Sequence, residues 1–201
     1  DGSEDDGETR KIAERYSCKY LENVKNMGKG AAVRKGVLAS KGDYIIFTDV
    51  DIPFEYRSLQ HFYHYLSFKE FDVVIGDRTL LDSEYFEDIS KMRKFGSAVF
   101  TFIIGRLVTT GVFDTQCGLK GFRRGAALDL FTVSRIKGFA FDVELLYISL
   151  KRNYDIKRLP VVLRSTEGTS VRLLKHGIIM IKELIMIKVH HVRKNYKKQT
   201  H

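Results

Sequence analysis

The chain has 201 residues, enough for one large domain or two small ones, with a core that hides roughly 70% of the unfolded chain's surface. Hydrophobic residues make up 44% and charged residues 29%, with 16 Gly and only 2 Pro, which excludes a disordered tail, a collagen-like fibre and a low-complexity linker. The formal net charge of +9 is unevenly spread. Asp1, Glu4, Asp5, Asp6 and Glu8 crowd the start, whereas no acid follows Glu183 and Lys188, Arg193, Lys194, Lys197 and Lys198 accumulate. Such an end attracts an anionic membrane surface or nucleic acid.

In chain order, residues 8–18 have helical spacing, with Ile12 and Tyr16 four apart. A short strand is predicted over 19–24. Gly28-Lys29-Gly30 opens a small-residue helix that ends near Ser40, with Gly42 beyond it. Tyr44-Ile45-Ile46-Phe47 is a short uninterrupted apolar run, as a buried parallel strand requires. A helix over 55–68 and a buried strand over 71–75 follow. A long apolar helix is predicted over 89–110, an extended stretch over 114–123, and helices over 125–131 and 141–152. The strand at 155–163 carries Pro160 and so belongs at an edge. The last helix, about 171–196, is apolar first and basic afterwards. Alternation of this kind predicts an α/β sandwich around a mostly parallel sheet, in one domain. No run of 18 uncharged apolar residues occurs, so no transmembrane helix is predicted, and there is neither a signal peptide nor an initiator Met. Cys18 and Cys117 are too few for a disulfide framework and read as small core residues in a reducing compartment.

Thr48-Asp49-Val50-Asp51 directly follows a buried strand. In extended backbone, acids at i and i+2 project to the same side. The carboxyl ends of strands are where open α/β sheets bind ligands. Two hard oxygen donors there suit Mg²⁺ or Mn²⁺ with a bound diphosphate. Lys29, between two glycines at a helix start, suits an anion. Arg93 and Ser97 share a helical face, and arginines such as Arg78 and Arg93 offer forked donors to phosphate. The histidines form no metal set: His61 and His64 lie on an amphipathic helix, His190 and His191 in the basic end. Phe62, Tyr63 and Tyr65 read as packing residues.

Several blocks then follow at characteristic distances: Asp1-Gly2-Ser3; Asn26-Met27-Gly28-Lys29-Gly30; Asp49-Val50-Asp51; Ile75-Gly76-Asp77-Arg78; Arg93-Lys94-Phe95-Gly96-Ser97; Asp114-Thr115-Gln116-Cys117-Gly118-Leu119-Lys120; Phe139-Ala140-Phe141-Asp142-Val143-Glu144; and Glu167-Gly168-Thr169-Ser170. Over residues 1 to about 175 the chain resembles the family 2 glycosyltransferases of the GT-A fold, and among them those acting on dolichyl or polyprenyl phosphate. The resemblance implies a nucleotide-sugar-binding sandwich that spans 1–175 and lacks its N-terminal βαβ part, since the chain starts inside the first motif. Residues 176–201 would be an amphipathic, basic C-terminal helix and tail.

The resemblance also implies roles. Asp49 and Asp51 would hold the metal. Asp1, Gly2, Ser3, Lys29, Asp49 and Asp51 would bind the donor, with UDP-glucose favoured. Arg78, Arg93 and Ser97 would bind an acceptor phosphate, and Gln116 and Glu144 would touch acceptor or sugar. Asp51, Asp114 and Asp142 would be catalytic. A lipid phosphate is mostly anionic at neutral pH, because its second pKa is about 6. It therefore needs positioning more than a base. A saccharide hydroxyl would instead need Asp114 or Asp142 as base. The expected enzyme is an inverting, metal-dependent hexosyltransferase peripheral to the cytoplasmic face of a membrane. The alternatives are transfer to a saccharide hydroxyl, or a catalytically silent domain held to membrane or nucleic acid by its basic end; nucleic acid is disfavoured.

Overall fold

The computed structural model describes residues 1–2, 5, 7–49, 54–85, 114–163 and 173–197. The predicted helix over 89–110 lies outside these residues, as do Ser3, Asp51, Arg93 and Ser97.

The chain opens with α1 (Glu8–Arg15), whose start is held by Asp5: its carboxylate accepts from the backbone N–H of Gly7 and of Thr9. None of its residues is buried, and Ile12 and Tyr16 face solvent. The strand predicted at 19–24 does not form. Strands need a hydrogen-bonding partner, and none pairs with this segment among the described residues, so Leu21 and Val24 stay exposed. Cys18 is likewise exposed rather than in the core, whereas Cys117 is buried.

Helix α2 (Lys29–Ala39) leads into β1 (Tyr44–Phe47), α3 (Tyr56–Ser67), β2 (Val73–Gly76) and the short β3 (Glu84–Tyr85). After residue 114 come β4 (Lys120–Arg123), α4 (Arg124–Val133), α5 (Phe141–Lys151), β5 (Ile156–Leu159), β6 (Val162–Leu163) and α6 (Leu173–Val192). Pro160 separates β5 from β6, because it can donate no ladder hydrogen bond.

The four-stranded sheet has the order β1-β4-β2-β5. Strand β4 runs antiparallel to β1 and to β2, and β2 runs parallel to β5, so three strands share one direction and β4 is reversed between them. The sheet is therefore mixed. Strand β5 is at the edge, as Pro160 predicted. Strands β3 and β6 form a separate parallel pair.

Period-two alternation decides which face each side chain fills. Val73 and Ile75 enter one core with Ile45 and Phe122, whereas Val74 enters the other with Phe62 and Leu66 of α3. The first core is roofed by α2, α4, α5 and α6, through Val37, Phe131, Leu145 and Leu184 among others. Helix α5 is buried along nearly its whole length, and so reads as apolar all round. Helix α6 inserts Met180, Leu184 and Ile187, spaced as one helical stripe.

Candidate active site

Strands β1 and β2 end on the same edge of the sheet, and the reversed β4 begins there. The residues flanking that edge carry most of the charge buried in the domain. Asp49 follows β1 and pairs with Lys29 at the start of α2, Nζ to Oδ1 being 2.6 Å. The N-terminus of α2 is braced by Asp1, whose carboxylate accepts from Met27 N–H and Gly28 N–H, both at 2.9 Å. Gly28 turns there with φ 95°, and a Cβ on it would lie 2.5 Å from the Lys137 carbonyl oxygen, so only glycine fits. Gly2 is anchored to the same loop through its N–H on the Asn23 carbonyl.

Gly118 gives Asp49 its room. A Cβ at Gly118 would overlap the Asp49 carboxylate, so this glycine exists to let a strand-end acid lie flat against the loop entering β4. Two residues on, Lys120 is completely buried and shares a sheet face with Phe122. Its ammonium donates to the Cys117 carbonyl at 2.7 Å and lies 2.8 Å from Asp142 Oδ1, in the first turn of α5. The latter contact is an ion pair rather than a well-directed hydrogen bond. Burial raises the Asp142 carboxyl above the ordinary carboxylate range, with Lys120 and Lys29 pulling the other way.

Beside this group, Asp114 takes three bonds from one residue: Arg78 N–H, Nε and Nη2, each at 2.8 Å. Burial opposes the Asp114 charge, but the Arg78 guanidinium and N–H outweigh it and hold the carboxyl below the ordinary range. Burial, reinforced by the Asp114 charge, pushes the Cys117 thiol up to about 11, so that sulfur is no nucleophile. Gln116 turns toward α6, with Nε2 3.5 Å from Met180 Sδ.

The structure thus assembles Asp1, Gly2, Lys29, Asp49 and Asp142 along one edge and joins Arg78 to Asp114. Glu144 is placed apart from these. Its carboxylate accepts from the backbone N–H of Arg135 and Ile136 and from the Tyr196 hydroxyl, so it ties down the α4–α5 loop and the chain's end. Two residues along a helix turn a side chain by roughly 200°, which carries Glu144 away from the face of Asp142. Lys120 was not singled out by sequence, because a lone lysine in a strand reads as a solvated one. Asp77 was also missed: it is fully buried and accepts from Thr79 and from Arg158 Nε, bracing the loop that carries Arg78.

Among the described residues, no group of three or more His, Cys, Asp or Glu converges as a metal set. Asp49 offers a hard carboxylate oxygen about a third exposed, the donor type that Mg²⁺ or Mn²⁺ takes, but its ion pair with Lys29 would have to open to admit a cation.

The model of glycosyl transferase family 2 matches residues 1–131. A dolichyl-phosphate β-glucosyltransferase of Mus musculus is 33% identical over 96% of the chain and 62% of that protein. Its namesake in Dictyostelium discoideum is 31% identical over 94% of the chain and 60% of its own length. The chain thus spans about three fifths of the relatives it matches. Among solved structures, glucosyl-3-phosphoglycerate synthase from Mycobacterium tuberculosis, in complex with Mn²⁺ and UDP-glucose, superposes with TM-score 0.60 at 17% identity, over 91% of this chain and 65% of that one. The fold is of the GT-A type, and the chain belongs to glycosyl transferase family 2.

Proposed function

We propose that this chain carries the catalytic part of an inverting glucosyltransferase that moves glucose from UDP-glucose to a dolichyl or polyprenyl phosphate. Supporting the acceptor and sugar are relatives named dolichyl-phosphate β-glucosyltransferase, about 30% identical over nearly the whole chain. Supporting the donor is a structural neighbour that binds UDP-glucose with Mn²⁺.

The observation that carries the acceptor class is the state of Asp114. A hydroxyl acceptor needs a carboxylate base with a pKa near the working pH. Asp114 is held below the ordinary range by Arg78 and is therefore a poor base. Asp142 is raised by burial, but its carboxylate is shut from solvent against Lys120 and out of reach of an acceptor hydroxyl. A phosphate acceptor arrives already anionic and needs none.

Asp49, with Asp51 two residues on, would hold a divalent cation, which when bound neutralises charge on the donor's diphosphate. Lys29 contributes a further positive charge on the same side, 2.6 Å from Asp49. Gly118 keeps Asp49 at its place. Lys120 pairs with Asp142 at the start of α5, and this buried pair would shape the site from beneath. Asp114 holds Arg78 in place, and Arg78 would face the acceptor phosphate. The residues mainly orient the reactants and stabilise the leaving charge.

The membrane side of the proposal rests on α6. Ile181, Ile185, Val189 and Val192 are exposed on it, beside Lys182 and Lys188. No helix among the described residues is long and apolar enough to cross a membrane. An apolar face with basic neighbours suits the interface of an anionic bilayer.

The test is transfer of radiolabelled glucose from UDP-glucose to a short polyprenyl phosphate, with Mg²⁺ or Mn²⁺, against GDP-mannose and free saccharides. A lipid-extractable glucosyl phosphate is expected. Transfer to saccharide hydroxyls alone would reverse the acceptor assignment.

A further inference from the structure

A second charged site lies at the opposite end of α5. Asp142 is in the first turn of that helix and Lys151 is its last residue, so the two are about 14 Å apart along the axis. There the C-terminal ends of α5 and α6 enclose a cleft of about 470 Å³, floored by Tyr147 and walled by Lys151, His191, Lys194, Tyr196 and Lys197.

The cleft is built by the fold rather than draped over it. Beyond α6 the backbone turns at Lys194 with φ 59°, in the left-handed region that a lysine enters only at a cost. That turn brings Tyr196 back onto α5. Its hydroxyl donates to Glu144 Oε1 at 2.6 Å, and its carbonyl accepts from Arg152 Nη2 at 2.8 Å. Arg152 is itself paired with Asp129, which also accepts from the Tyr154 hydroxyl. The nearby acids are therefore already engaged.

The lysines are not. Among the described residues no carboxylate pairs with Lys151, Lys188, Lys194 or Lys197. Lys151 and Lys188 converge on the Tyr147 ring, at 5.9 and 4.7 Å from its centre. Partial burial and the Lys151 charge hold Lys188 below the ordinary lysine range. The negative C-terminal ends of α5 and α6 offset part of this positive charge, and a bound anion would offset the rest. Ammonium groups are donors only, so the complementary ligand is rich in acceptors and negative. A tetrahedral oxyanion meets both needs, and the tyrosine rings leave an apolar wall for the group it esterifies.

We propose that this cleft binds a phosphate ester, from a lipid headgroup or a soluble molecule, at a site separate from the sugar-transfer edge. The proposal stands without the transferase reading, because none of its residues belongs to that edge.

Backbone amide resonances of the 201-residue chain, titrated with inorganic phosphate at constant ionic strength, provide the test. Saturable shifts at Tyr147, Lys151 and residues 194–197 are expected, absent with chloride. The double variant Lys151→Gln/Lys194→Gln should weaken that binding at least tenfold, a change of about 1.4 kcal/mol. Lys41→Gln, an exposed lysine elsewhere, should leave it unchanged. A parallel arm uses vesicles of phosphatidylcholine with and without phosphatidic acid. Loss of phosphatidic-acid-dependent binding in the double variant assigns the lipid headgroup. Saturable phosphate binding with unaltered vesicle binding assigns a soluble ester. The proposal is overturned if phosphate gives no saturable shift and vesicle binding ignores the double variant, or if Lys41→Gln acts as strongly.

Discussion

The ammonium of Lys120 lies 2.8 Å from the carboxylate of Asp142, and both side chains are shut away from solvent. A strand residue and a helix residue thus form a buried ion pair directly behind Asp49. Removing one partner of such a pair strands the other charge, whereas replacing both with apolar groups can cost little. Lys120→Met should therefore lower stability by about 3–5 kcal/mol in urea denaturation. Lys120→Met/Asp142→Leu should recover most of that loss while glucose transfer stays abolished. A double variant as unstable as the single one would show that the pair is not the source of the effect.

The Arg78–Asp114 pair predicts a pH dependence. Asp114 is held below the ordinary carboxylate range in the folded state, so its contribution is fully present above that range and is lost as pH falls through the lowered pKa. Asp114→Asn should cost about 2 kcal/mol near neutral pH. The gap between variant and parent should stay constant as pH drops toward the ordinary carboxylate range, and shrink only below it. Unfolding curves across the acid range measure the gap; one that narrows already near neutrality would contradict the assignment.

Gly118→Ala probes the position of Asp49 without touching its chemistry. The added methyl would meet the Asp49 carboxylate, and the smallest relief is to displace that side chain. A misplacement of about 1 Å in a reacting constellation costs on the order of 100-fold in rate. Transfer should fall by about that factor, with the circular dichroism spectrum retained. Asp49→Asn should be at least as damaging and should abolish any response of the rate to added Mn²⁺.

On α6, Ile181→Asn/Ile185→Asn changes two exposed residues and should leave the melting temperature nearly unaltered. Sedimentation with anionic vesicles should fall several-fold if this face enters the interface. Deleting the whole basic end would be a poorer test, because Tyr196 is clamped by Glu144 and Arg152. Unchanged sedimentation of the point variant would remove α6 from the membrane proposal.

How far the sequence revealed this molecule depended on whether a signal was local. Val73-Val74-Ile75 read as a strand because both sheet faces need apolar side chains, and Asp49 read as a ligand because it follows such a strand. The reversal of β4 was hidden, since nothing within Lys120–Arg123 itself records that the strand inserts antiparallel between β1 and β2. The strand expected at 19–24 had the right residues and no partner. Lys120 and Asp77 escaped notice because their partners, Asp142 and Arg158, are distant in the chain, and burial of a charge is invisible until both are placed. The partners of Glu144 were equally hidden: the Arg135 and Ile136 N–H groups and the Tyr196 hydroxyl come from a loop and from far along the chain.

Glu183 gives α6 a mechanical connection to the chemistry. Its carboxylate accepts the Ala140 N–H at 2.9 Å, at the cap of the helix that begins with Phe141 and Asp142. Lifting α6 from the domain would unlatch that cap and free the first turn that holds Asp142 against Lys120. The seat of α6 and the cap before Asp142 thus share a single carboxylate.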